Sequence, residues 1–232
     1  MLGLGNSISA NQYPGGWLPS DETSLFAWWR FNTGITLNGS NVNTWADSSS
    51  NSHDMVQDDS QAAYQPAFSS GVLTFAVDGS DNPDFLQSST NIQLPGAFVM
   101  GFKINPSADN VVIIGSNTDN NEMFKLLDNT SSKKIRVRND SGVVDFTLSS
   151  GTILDDAYWV ISRDGSDNIT VYKDGSAVAA AQSRSGTFDI DAIGVRRTNT
   201  NPFEGTIKEV VIFKGTTSTA LINNVSTRLS GL

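Results

Sequence analysis

The sequence predicts an all-β fold, a single antiparallel jelly-roll sandwich of two sheets, and three observations carry that prediction. Short segments rich in β-branched and aromatic residues alternate with clusters of Gly, Asn, Asp and Ser, the chemistry of tight turns. Helical periodicity is confined to the last dozen residues. The length, 232 residues without a cysteine, suits one sandwich of about 200–250 residues that needs no disulfides.

Taken in order, residues 1–19 form an uncharged, extended N-terminal arm, because Gly3, Gly5, Pro14, Gly15, Gly16 and Pro19 interrupt any regular element. Leu2, Leu4, Ile8, Tyr13 and Trp17 give that arm apolar anchors, which predict docking on a neighbouring chain. The domain proper is expected over 20–232. Strands are predicted at 26–31, 72–77, 98–104, 111–114, 122–127 and 134–138. The clearest unit is a meander in which 158–162 and 168–172 pair across the Asp164-Gly165 turn, with Ile169 and Val171 alternating against Thr170 and Tyr172. A further strand covers 205–213. Leu221, Ile222, Val225 and Leu229 then mark a short C-terminal helix.

Composition narrows the function. A net charge of −9 argues against a nucleic-acid partner and against anionic membranes, both of which require cationic surfaces. Without cysteine and with one histidine, His53, transition-metal sites and thiol catalysis are excluded. His53 itself sits among Ser, Asn and Asp and reads as a solvated loop residue. No apolar run is long enough to span a bilayer, and no basic residue precedes Arg30, so neither membrane insertion nor a signal peptide is expected.

Several landmarks together resemble laminin-G-like, concanavalin A-like lectin domains. They are Leu25-Phe26-Ala27-Trp28-Trp29, the run Val42-Asn43-Thr44-Trp45-Ala46-Asp47-Ser48, Phe75-Ala76-Val77-Asp78-Gly79 with Phe85-Leu86, the meander of 158–178, and Phe203-Glu204-Gly205-Thr206-Ile207-Lys208-Glu209-Val210. In the last, Lys208 stands where that family usually has Asp. The resemblance covers about 23–232 and implies a concanavalin A-like jelly roll. The opening Met1-Leu2-Gly3-Leu4-Gly5-Asn6-Ser7-Ile8 is similar to leaders of structural proteins from marine tailed-phage virions.

Hydrolases of the lectin-like fold place carboxylates in an E-x-D-x-x-E strand, and retaining or inverting cleavage needs two of them about 5–9.5 Å apart. Glu22, Glu122, Glu204 and Glu209 form no such pattern, so an enzyme is not expected. Oxygen-rich Asp78, Asp81 and Asp84, within seven residues of one turn, are the candidate calcium ligands, calcium being the one cofactor the residues suggest. Trp28, Trp29, Trp45, Trp159 and Tyr172 are available as sugar platforms, although core packing is the favoured role for most of them. The leading expectation is a virion-located structural protein, a capsid decoration or tail component partnered by a major capsid protein and by copies of itself. The alternative is a carbohydrate-binding module or adhesin for host-surface or environmental glycans.

Overall fold

The computed structural model describes residues 16–118, 123–129 and 132–232. Its first strands are β1 (Leu25–Trp29), β2 (Ile35–Asn38), β3 (Asn41–Trp45), β4 (Met55–Val56), β5 (Ala67–Ser69) and β6 (Val72–Phe75). The middle of the chain forms β7 (Leu86–Leu94), β8 (Phe98–Pro106), β9 (Val111–Gly115), β10 (Met123–Asn129), β11 (Ser132–Asn139) and β12 (Gly142–Thr147). There follow β13 (Ala157–Arg163), β14 (Asn168–Lys173), β15 (Ser176–Ala177), β16 (Gln182–Ser183), β17 (Phe188–Ile193) and β18 (Gly205–Lys214). The chain ends in α1 (Thr219–Ser230), capped by Ser218, whose hydroxyl accepts from Leu221 N at 3.1 Å.

All pairings are antiparallel and define two layers. The first sheet runs β14–β13–β8–β18, with β15 and β16 on β14 and with β1 and β6 sharing the far edge of β18. The second runs β12–β11–β10–β9–β17–β7–β4–β3–β2. β5 bridges β3 to β6 and makes the hydrogen-bonded network continuous. Aromatic rings lock the layers together: Phe98 of β8 lies 5.4 Å from Phe188 of β17 and 6.3 Å from Phe124 of β10. The predicted hairpin forms in register, Ile161 opposite Val171, with Asp164 Oδ1 accepting from Ser166 N and Asn168 N.

The sequence landmarks around Trp28 and Trp45 have physical reasons. Asp47 accepts from Trp28 N, Ser49 N and His53 N through its two oxygens, pinning the loop after β3 against β1. Trp28 and Trp29 point to opposite faces, as adjacent strand residues must. Trp29 enters the inter-sheet core and Trp28 the smaller core beneath α1, so both are buried. Trp45 and Trp159 are also fully buried in the main core. His53 corrects the sequence reading: it is 8% exposed, its ring packs 4.9 Å from Phe26, and Nδ1 meets Thr90 Oγ1 at 3.0 Å. Burial lowers its pKa below the ordinary histidine value.

The outer face of the first sheet is closed by α1. Gly101 of β8 permits the close approach, since a Cβ there would lie 2.6 Å from Val225 Cγ1 and 2.9 Å from Leu229 Cδ1. The same interface holds a buried ion pair. Glu209 of β18, 0% exposed, accepts from Arg228 Nε and, at 2.8 Å, from Arg228 Nη2. Trp28 Nε1 and Phe31 N donate to the same carboxylate, and the Arg228 guanidinium lies 4.8 Å from the Trp28 ring centroid.

Of the arm residues, Leu2, Leu4, Ile8 and Tyr13 lie outside the described residues. Trp17 docks on its own domain, contrary to the expectation for the arm as a whole. Its ring is 6.1 Å from Phe213, and its Nε1 donates to Glu22 Oε1 at 3.0 Å. Pro19 is buried, and the 3-10 turn Pro19–Asp21 leads directly into β1. The end of the arm therefore completes the small core under α1. Trp17→Ala is expected to lower stability by about 1–2 kcal/mol, the cost of re-exposing half a large ring. Thermal unfolding of the full chain checks this.

Candidate functional site

With one sheet face closed by α1, the outer face of the second sheet is the broad polar surface of the sandwich. Cross-strand register places one row on it, from Thr44 through Val56, Gln87, Ala192, Gly115, Met123 and Arg138 to Val143. The next row carries Val112, Lys125, Arg136 and Asp145.

Residues 195–201 fold over the middle of this face. Val112 N donates to Asn201 O, Arg197 N to Ser116 O, and Thr198 N to Asn117 O. Gly115 makes room, because a Cβ there would meet Arg196 Cβ and Val195 O at 3.1 Å. Val112, Met123 and Ala192, although on the outer face, are buried where this loop crosses. Arg197, Thr198 and Asn199 are successive left-handed residues, with φ of 31°, 49° and 64°. Such conformations cost on the order of 1–3 kcal/mol each outside glycine and persist only where surroundings impose them. Here Asn117 imposes them, its Oδ1 accepting from Asn199 N at 2.9 Å and its Nδ2 donating to Asn199 Oδ1 at 3.0 Å.

On one flank of the loop, Asp191, 2% exposed, accepts from Asn117 N, Gln87 Nε2 and Thr118 Oγ1. On the other flank lie cations. Arg136 donates through two nitrogens to Asp145 and Lys134 donates to the same carboxylate at 2.7 Å, which holds the Asp145 pKa below the usual range. Lys125 stands between Arg136 and the loop, with burial first and then Arg196 and Arg136 lowering its pKa to about 8. Such a surface, with amides, a buried carboxylate and cations on a rigid sheet, can hydrogen-bond hydroxyl and oxyanion groups of a ligand.

Other candidate residues take structural parts. The Glu209 carboxylate is consumed by Arg228, Trp28 and Phe31, Glu22 holds Trp17, and Glu122 lies outside the described residues. Tyr172 packs partly buried in the small core. A shallow cleft is lined by Leu148, Ser149, Lys173, Asp174, Ser176 and Val178, but its ammonium is taken by Asp155 at 2.7 Å.

The acidic turn is organised by its own backbone. Asp78 accepts from Ser80 N, Asn82 N and Asn82 Nδ2, Asp81 is left-handed at φ 61°, and Asp84 Oδ2 accepts from Ala76 N at 2.8 Å. Among the described residues no group of three or more His, Asp or Glu side chains is placed to hold a metal ion. Burial, against the bond from Ala76 N and aided by the charge of Asp78, raises the Asp84 pKa to about 7. Because the folded value lies above the ordinary carboxylate value, the stabilising contribution is complete below about pH 4 and is lost as pH rises towards 7. The difference in melting temperature between Asp84→Asn and the parent is therefore expected to shift in favour of the variant from pH 5 to pH 8. Parallel melts at the two pH values check it.

No protein-family model matches the chain, and no curated protein sequence matches it. Solved structures do. Domain 4 of AbnA, an extracellular arabinanase from Geobacillus stearothermophilus solved with arabinotriose, is 14% identical with a TM-score of 0.54, covering 87% of this chain and 98% of that one. The binding domain of Paraclostridial mosquitocidal protein 1 is 13% identical at a TM-score of 0.54, covering 92% of this chain and 53% of that one. A variant GH54 α-L-arabinofuranosidase is 12% identical at a TM-score of 0.53, with 81% and 51% covered. This chain spans about half the length of the latter two. These likenesses establish the fold, an all-β sandwich. They concern the fold, and the chemistry rests on the residues described above.

Proposed function

We propose that this chain is a non-catalytic glycan-binding module whose sugar site is the outer face of the second sheet, on both flanks of the 195–201 loop. The observation that carries the reading is the left-handed run Arg197-Thr198-Asn199, held by Asn117 over the outer face of the second sheet. Backbone strain of this sort clusters at ligand-binding and active sites. The neighbour solved with arabinotriose supports glycan recognition and favours it over the virion-assembly role that the N-terminal leader suggested.

Isothermal titration of the full chain against arabino-oligosaccharides, oligo-uronates and sulfated oligosaccharides tests the reading. Saturable binding to at least one is expected. Gln87→Ala, at the rim of the site, should weaken it by about tenfold or more while the protein stays folded. Absence of binding to every sugar in the panel, or binding indifferent to Gln87→Ala and to Gly115→Val, contradicts it.

A further inference from the structure

Lys125 is energetically out of place where it sits, buried with a second cation opposite it. It lies in the centre of β10, with neighbours Phe124 and Leu126 in the inter-sheet core, and is itself only 6% exposed. Among the described residues nothing hydrogen-bonds to its ammonium and no carboxylate pairs with it. The nearby Asp145 is already held by Lys134 and Arg136. Arg136, directly opposite Lys125 in the ladder, and Arg196, above it in the loop, add like charge. Burying most of a lysine side chain with no anion at its ammonium is costly, and a methionine at this position would fill the space without that cost.

Resting on the glycan-binding reading, we infer that Lys125, with Arg136 beside it, is the oxyanion-binding subsite of this face and selects glycans bearing a carboxylate or sulfate over neutral ones. The missing counter-ion is then supplied by the ligand. The same carboxylate or sulfate oxygens would accept from the Lys125 ammonium at the edge of the loop, while amides on the opposite flank take hydroxyls. Desolvation strengthens the pair, so that one charge contact discriminates strongly between otherwise similar sugars.

The test compares an oligogalacturonate, a sulfated oligosaccharide and a neutral arabino-oligosaccharide on the full chain, with Lys125→Met and Lys125→Gln as variants. At least one acidic sugar should bind about tenfold or more tighter than the neutral one, and the gap should narrow as salt rises. Both variants should erase the gap and melt no lower than the parent. Whether uronate or sulfate shows the gap identifies the source of the oxyanion. Equal affinity for acidic and neutral sugars, or an acidic preference that survives Lys125→Met and Lys125→Gln, overturns the inference while leaving the glycan-binding reading intact. Absence of binding to all three overturns both.

Discussion

Arg228→Met is expected to destabilise the fold by about 3–5 kcal/mol, a drop in melting temperature of roughly 6–20 °C. The substitution preserves the volume packed on Trp28 but strands the Glu209 carboxylate in a 0% exposed site. Trp28 Nε1 and Phe31 N still donate to it, yet two neutral donors do not replace a guanidinium that engages both oxygens. Glu209→Leu combined with Arg228→Met should recover a large part of the loss, because replacing both charges removes the desolvation penalty along with the attraction. A double-mutant cycle by thermal or urea unfolding reads the coupling. A single substitution costing no more than a surface change would mean that α1 is held by its apolar stripe alone. The cycle also bears on chemistry: a Glu209 whose removal unfolds the sandwich is an anchor, and its burial takes it away from any substrate.

Arg163→Met should rank second, at about 3–5 kcal/mol. Arg163 is 0% exposed at the end of β13 and donates Nε to Gly96 O and Nη2 to Leu94 O, each at 2.8 Å, and Nη1 to Gly186 O. Its guanidinium also lies between Phe98 and Phe188, 5.5 and 5.3 Å from their centroids, one ring from each sheet. One side chain thus satisfies three backbone carbonyls, at the end of β7, in the β7–β8 turn and on the approach to β17. Without it, each carbonyl loses a donor at on the order of 1–3 kcal/mol, partly offset by entering water. Arg163→Lys should cost nearly as much, because an ammonium cannot reproduce the planar fork. Unfolding of both variants by urea checks the ranking; a Lys variant as stable as the parent would show that charge rather than geometry is what the loops require.

The fold was legible where sequence-local chemistry dictates it. The Asp164-Gly165 turn, the alternation of Ile169 and Val171, and the helix stripe of Leu221, Val225 and Leu229 all act within a few residues, and each element appeared at its place. β7 was not legible, because Ser88-Ser89-Thr90-Asn91 breaks the alternation and its pairing with β17 shifts register between Ile190 and Ala192. β17 itself alternates cleanly as Phe-Asp-Ile-Asp, but aspartate is depleted in strands and masks the pattern. His53 was misplaced because its polar neighbours describe the loop and not the Phe26 ring that the loop folds over.

The candidate site was harder still. Gln87, Asn117, Lys125, Arg136, Asp191 and Arg196 are scattered over more than a hundred residues of chain and share no motif. One signal was present: Lys134, Arg136 and Arg138 alternate with Ile135 and Val137, a basic stripe of period two in an acidic protein. That stripe announces a cationic sheet face, but only the topology shows which loop crosses it.

The most direct test of the central claim is a map of ligand contacts on the labelled full chain, obtained by following amide resonances during titration with the tightest-binding oligosaccharide. The account predicts that the perturbed amides cluster at Gln87, Asn117, Lys125 and Arg136 and along 195–201. Perturbations confined to the cleft of Leu148, Lys173 and Ser176, or to the face covered by α1, would contradict it.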